Sequence, residues 1–140
     1  MLSSTRLPLS DALATAVSAA HAAASILQAH AAHRDLLVID TKAKNDLVSQ
    51  ADRDAEMAAL DILRTQTPEF GIVAEESGGD SKGLATWYID PLDGTTNFLH
   101  GIPHYAVSIA LVAHAGSIIA GDTPITCDTP VVAVVYDPNR

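Results

Sequence analysis

The stretch that most restricts how this chain can fold is residues 85–103, ATWYIDPLDGTTNFLHGIP. Its first five residues are mostly β-formers and predict a strand that delivers Asp90 to its end. Pro91 then fixes the backbone and removes an N–H donor, and Gly94 permits a tight conformation. Residues 95–97 are typical of a helix start, so their free N–H groups are expected to point outward. The stretch therefore predicts a strand, a turn with two carboxylates and a helix.

The chemistry of this turn indicates a divalent metal. A helix N-terminus favours anions, and it can adjoin the carboxylates of Asp90 and Asp93 only through a mediating cation. Mg²⁺ prefers hard oxygen ligands, and it binds to one or two carboxylates together with water and substrate phosphate. The Leu92 carbonyl can add a further oxygen. The alternative interpretation is a purely structural turn, because Asp and Gly often follow strands for that reason alone.

A second pair of carboxylates follows another predicted strand. Residues 70–74, FGIVA, form this strand, and Glu75 and Glu76 come directly after it. If the two strands are neighbours in the sheet, Glu75 arrives beside Asp90. Two metal ions about 3.5–4 Å apart can then activate a water and stabilise the leaving oxygen.

Composition excludes several classes of function. Acidic residues outnumber basic ones 17 to 8, for a formal charge of −9, so a nucleic-acid partner is not expected. The single cysteine, Cys127, can form neither an internal disulfide nor a cysteine-rich zinc site. Residues 1–10 show no signal peptide, and polar residues interrupt the Ala-rich run after Ala12, which argues against a membrane span. A cytoplasmic location is expected.

The remaining sequence predicts helices followed by strands. A helix is expected over residues 10–33, and its predicted buried stripe is Leu13, Val17, Ala20, Ala24 and Leu27. Residues 41–52 are expected to turn into a second helix, with Ser49 and Asp52 as a capping box and Pro68 after its end. Further strands are predicted over residues 36–40, 104–114, 117–121 and 131–137, with a loop over 78–83. This order predicts an α+β fold, a layered sandwich with paired N-terminal helices on a mostly antiparallel sheet.

Three motifs in order resemble the inositol monophosphatase family, which are lithium-sensitive, Mg²⁺-dependent phosphatases. WYIDPLDGTTNFLHGIP is similar to the family signature, GIVAEES to its upstream metal-binding segment and NDLVSQAD to its helix-entry motif. The resemblance runs from about Thr41 to Ala113. It implies the sugar-phosphatase type of sandwich, with residues 1–140 as a single domain that corresponds to the N-terminal portion of the fold.

The resemblance also implies roles for individual residues. The implied metal ligands are Glu75, Asp90, the Leu92 carbonyl and Asp93, with Asp93 bridging to a second ion. The residues implied to contact the substrate are Glu75, Leu92, Asp93, Gly94 and Thr95, and backbone groups of Gly94 and Thr95 hold its phosphate. The residues implied in catalysis are Asp52, Glu75 and Thr95. Thr95 is a weak base alone, so a relay through Asp52 with metal polarisation is chemically reasonable.

The chain also departs from the family pattern. Family members are longer, and their second half carries a Trp-Asp motif that completes the second metal site and most of the substrate recognition. Residues 122–130 resemble an insertion. A full-length protein is expected to form a homodimer and to act on a small phosphate ester.

Several alternatives remain open. The expected activity is that of a Mg²⁺-dependent phosphomonoesterase acting on inositol monophosphate, and histidinol phosphate, a nucleotide bisphosphate, NADP and a sugar bisphosphate are the alternative substrates. A different class is a non-catalytic interaction protein that keeps the fold. A third class, the aspartyl-phosphate phosphatases, also places Asp-Gly-Thr after an Asp, but there one residue separates the two aspartates, whereas Pro91 and Leu92 separate them here.

Overall fold

Two long helices pair over one face of a five-stranded sheet in the computed structural model, which describes residues 5–32, 41–74, 78–80 and 82–140. The elements in chain order are α1 Leu9–Ala31, α2 Thr41–Gln66, β1 Gly71–Ala74, β2 Gly78–Asp80, β3 Ala85–Asp93, α3 Thr95–Leu99, β4 Ala106–Ala113 and β5 Thr129–Tyr136. The strand order is β2-β1-β3-β4-β5. Only β1 and β3 are parallel, and the other neighbours are antiparallel. The predicted α+β class and the mostly antiparallel sheet are confirmed.

The core lies between the helices and one face of the sheet. Trp87 and Leu111 are cross-strand partners on this face, and both are fully buried. The Trp87 indole donates a hydrogen bond of 2.9 Å to the Thr67 hydroxyl, which satisfies the one polar atom of this side chain. On the opposite face Tyr88 is 45% exposed. The sheet is therefore covered by helices on one side in the described residues.

Helix α1 buries a different stripe from the predicted one. Ala20, Ala24 and Leu27 are buried as expected, but Leu13 and Val17 are 46% and 40% exposed. The buried positions are instead Ala12, Thr15, Ala16, Ala19, Ala20, Ala23, Ala24 and Leu27. Alanines let α1 approach α2 and the sheet closely, so mostly small residues form the contact face, and Leu13 and Val17 point away from it. By length and composition α1 could cross a membrane, yet this packing is that of a core helix.

Helix α2 begins earlier than predicted. The chain is helical from Thr41, so Ser49 and Asp52 lie inside the helix and the predicted capping box is wrong. Residues 41–52 contain no proline or glycine that would delay the start. The helix ends at Gln66, two residues before Pro68, as expected. The strand predicted over residues 36–40 lies outside the described residues.

Two short segments also differ from expectation. Residues 78–80, predicted as a loop, form β2 and pair with β1. Residues 117–121, predicted as a strand, form only an isolated bridge between Ile118 and Arg6. The Ile118 N–H donates to Thr5 and its carbonyl accepts from Leu7, at 2.8 and 3.0 Å. These bonds go to the N-terminal segment, so residues 117–121 do not join the sheet. The strands predicted over 104–114 and 131–137 correspond to β4 and β5.

Candidate active site

A β-bulge in β3 brings the two predicted carboxylates to one face of the sheet. Asp90 pairs with Ser108 of β4, and Asp93 pairs with Ala106, so three residue steps on β3 oppose two on β4. In a regular strand, residues three apart point to opposite faces. The extra residue cancels that alternation, so Asp90 and Asp93 lie on the same face. The strand was expected to end before Asp90, and this boundary is wrong because β3 continues to Asp93.

The residues between the carboxylates anchor the bulge. Pro91 and Leu92 are both buried, whereas Asp90 is half-buried and Asp93 is exposed. The Leu92 N–H donates a hydrogen bond of 3.2 Å to Oδ1 of Asp90. Pro91 has no N–H to satisfy, which suits a position where the ladder is interrupted. One carboxylate is therefore oriented by the backbone, and the other is open to solvent.

Helix α3 starts directly after the bulge, as the sequence predicts. Gly94 has φ +102° and ψ 39°, a left-handed conformation that favours glycine, and it precedes the first helical residue, Thr95. The Phe98 N–H donates to the Gly94 carbonyl at 3.0 Å. The Thr95 hydroxyl donates to the Leu92 carbonyl at 3.3 Å. These bonds connect the helix start to the same backbone that carries the carboxylates.

The strand that precedes the predicted metal ligand Glu75 lies next to β3. β1 runs parallel to β3, and Ala74 pairs with Ile89, one residue before Asp90. The two strands are therefore neighbours, which is the condition under which Glu75 was predicted to arrive beside Asp90. Glu75 itself lies outside the described residues, so its role as a ligand stays a prediction.

Asp52, the predicted partner of Thr95, lies half-buried on α2, and α2 contacts α3. Their catalytic pairing also stays a prediction. In the part of the chain that the structure describes, no group of three or more His, Cys, Asp or Glu side chains is placed to hold a metal ion.

Sequence reasoning missed the contribution of Asn97. Its side-chain amide donates a hydrogen bond of 2.8 Å to the His104 carbonyl, seven residues further along the chain. A cavity of about 270 Å³ lies beside this bond, and its lining residues are Asp93, Gly94, Asn97, His104, Tyr105, Ala106 and Asp137. The sequence offers only an asparagine at a helix start, a position where this residue is usually assigned to capping.

Comparison with known proteins identifies close similarity to one family. The model of the inositol monophosphatase family matches residues 9–139. A putative Nus factor SuhB from Neisseria meningitidis is 46% identical over 106 residues, which are 74% of this chain and 40% of that protein. An inositol-1-monophosphatase from Caulobacter vibrioides is 45% identical over 97 residues, 66% of this chain and 38% of that protein.

Solved structures show the same similarity in three dimensions. The inositol monophosphatase from Anabaena (Nostoc) sp. PCC 7120 superposes with a TM-score of 0.69 at 34% identity, over 94% of this chain and 42% of that one. The chain thus spans about 40% of the length of the curated relatives it matches.

Proposed function

Because the chain belongs to the inositol monophosphatase family, we propose that it carries the metal-binding and phosphate-binding part of a Mg²⁺-dependent phosphomonoesterase. The proposed substrate is inositol monophosphate or a similar small phosphate ester. The observation that supports this most directly is the bulge that directs Asp90 and Asp93 to one face of the sheet. A bulge costs regular ladder pairing, and such features occur next to active sites, where they re-aim a side chain.

The donor set fits a hard divalent cation. Two carboxylates on the same face of one strand repel each other, and a doubly charged ion between them would remove that repulsion. Carboxylate oxygens and the Leu92 carbonyl are the ligand type that Mg²⁺ prefers, and Glu75 is the proposed third carboxylate. When bound, the ion supplies charge neutralisation and a more acidic water.

The chain's own residues would then bind and orient the phosphate. Gly94 lets the backbone reverse immediately after Asp93, so the N–H groups of Gly94 and Thr95 are proposed to hold the phosphate oxygens. The Thr95 hydroxyl, which donates to the Leu92 carbonyl, is proposed to orient the attacking water together with Asp52. Glu75 is proposed to act on the same water.

Other properties of the whole protein are proposed on the same family relation. These are inhibition by lithium, a cytoplasmic location and homodimer formation by a full-length protein. These are properties of full-length family members, and this chain covers about two fifths of the length of such relatives.

The test is phosphate release from inositol 1-phosphate, with and without Mg²⁺, by the chain and its Asp93→Asn variant. We expect Mg²⁺-dependent release that the variant loses. The matched control is Asp61→Asn, because Asp61 is an exposed carboxylate on α2 and its loss removes the same charge. Release that is equal in Asp93→Asn and Asp61→Asn would contradict the proposal.

A second candidate is a non-catalytic interaction role. It is supported by the Neisseria relative, which is named as a putative Nus factor and is 46% identical. A folded chain that releases no phosphate and does not bind Mg²⁺ at Asp90 and Asp93 would favour this candidate over the enzyme.

A further inference from the structure

Residues 100–105 fold back beneath the start of α3, and Asn97 holds them at two points. The Ile102 N–H donates to the Asn97 main-chain carbonyl at 2.8 Å. The Asn97 side-chain amide donates to the His104 carbonyl, also at 2.8 Å. The two bonds fix the returning segment against α3. This helix has only five residues, and so short a helix is not stable without tertiary contacts of this kind.

The returning segment lies directly against the proposed phosphate turn. A Cβ atom built on Gly94 would lie 3.1 Å from the His104 carbonyl oxygen and 3.1 Å from Cβ of Tyr105. Tyr105 is buried, and its ring packs edge-on against Phe98 with 5.1 Å between the ring centroids. The Gly94 backbone therefore packs closely against His104 and Tyr105, so a shift of these two residues would move the turn at Gly94.

Helix capping does not account for Asn97. An asparagine near a helix start usually accepts hydrogen bonds from the first N–H groups of that helix. α3 has no side-chain cap bond, and its cap residue is Gly94. The Asn97 amide instead acts as a donor to a carbonyl outside the helix. Its chemistry is thus specific, because a carboxylate of the same size has no proton to donate.

We propose that Asn97 is a positioning residue for the phosphate turn. It holds the His104 carbonyl against the Gly94 backbone, and this contact sets where the N–H groups of Gly94 and Thr95 point. Its effect on phosphate binding rests on the function proposed above, whereas its effect on the geometry of the turn does not.

The test compares Asn97→Asp with the wild-type chain by NMR. The Asp side chain keeps the size of Asn but removes the donor and adds a negative charge, so the expected shift of the Gly94 and Thr95 amide signals must also appear in Asn97→Ala, which removes the donor without adding a charge. Asn97→Ala serves as a second donor-free variant should Asn97→Asp fold poorly. The matched control is Thr96→Ala, an exposed neighbour on α3, which should leave the Gly94 signal near its wild-type position.

A phosphate titration in Mg²⁺ then measures the consequence for binding. We expect phosphate affinity to fall by a few-fold to about tenfold in Asn97→Ala, because one hydrogen bond that positions the turn is lost. Affinity is measured in Asn97→Ala because the negative charge of Asn97→Asp would itself repel phosphate. A merely structural role would lower the denaturation midpoint but leave the affinity of the folded protein unchanged.

The possible failures are distinguishable. A wild-type chain that binds no phosphate would overturn the proposed function, while the Gly94 and Thr95 signals would still decide the role of Asn97. A Gly94 signal that stays as close to its wild-type position in Asn97→Ala as it does in Thr96→Ala would overturn the positioning role.

Discussion

Substitution of Gly94 by alanine tests whether the turn after the bulge is set by close packing or only by backbone conformation. Gly94 and Gly116 have nearly the same positive φ, +102° and +97°, a region that favours glycine. At Gly116 an added Cβ would meet nothing within 4 Å, whereas at Gly94 it would lie 3.1 Å from the His104 carbonyl. The two sites share the conformational cost and differ in the steric one.

The magnitudes follow from these two costs. A left-handed conformation costs a non-glycine residue about 1–2 kcal/mol, and this is the whole expected loss of stability for Gly116→Ala. Crowding of a packed site adds about 1–3 kcal/mol, so Gly94→Ala should lose about 2–5 kcal/mol. Urea unfolding followed by the fluorescence of Trp87, the single tryptophan, measures both. Equal unfolding free energies for the two variants would refute the packing of Gly94 against His104.

Two further predictions concern the core. Thr67→Val should destabilise the fold by about 1–3 kcal/mol, because it leaves the buried Trp87 N–H without its acceptor. Thr67→Ser keeps the hydroxyl and should keep most of the stability. Equal losses of unfolding free energy in urea for the two variants would contradict the Trp87–Thr67 hydrogen bond. Leu27→Ala should cost about 2–5 kcal/mol because Leu27 is fully buried. Leu13→Ala should cost less than about 1 kcal/mol because Leu13 is 46% exposed. If thermal unfolding shows that Leu13→Ala lowers stability more than Leu27→Ala does, Leu13 is buried as the sequence predicted and the observed buried face of α1 is wrong.

Local chemistry was enough to predict the order of elements at the candidate site. A β-rich run, two aspartates, a glycine and helix-starting residues have local preferences that agree with one another. The structure accordingly places α3 directly after Gly94. The adjacency of β1 and β3 was only a condition in the sequence reasoning, and the structure supplies it through their parallel pairing.

The bulge could not be predicted from the same residues. Pro91 and Gly94 favour a turn as readily as an interrupted strand. The choice depends on the partner strand, because the bulge is defined by its pairing with Ser108 and Ala106 of β4, the next strand along the chain. A sequence pattern gives the residues of a strand but not the register of its pairing.

The buried face of α1 was mispredicted for a related reason. Sequence periodicity favoured the larger apolar residues Leu13 and Val17. Alanine rows such as Ala16 and Ala19 form the contact instead. How close two helices approach is a property of the pair, so one helix alone does not reveal which face it buries.

The most direct test of the account is a Mg²⁺ titration of the chain, followed through the amide signals of residues 90–95. We expect Mg²⁺ to shift these signals in wild type and in Asp61→Asn. Asp93→Asn should weaken Mg²⁺ binding by about tenfold or more, since it removes a charged ligand. Signals that Mg²⁺ leaves unmoved in wild type, or equal affinities in Asp93→Asn and Asp61→Asn, would contradict the claim that the bulge directs these two carboxylates toward a metal ion.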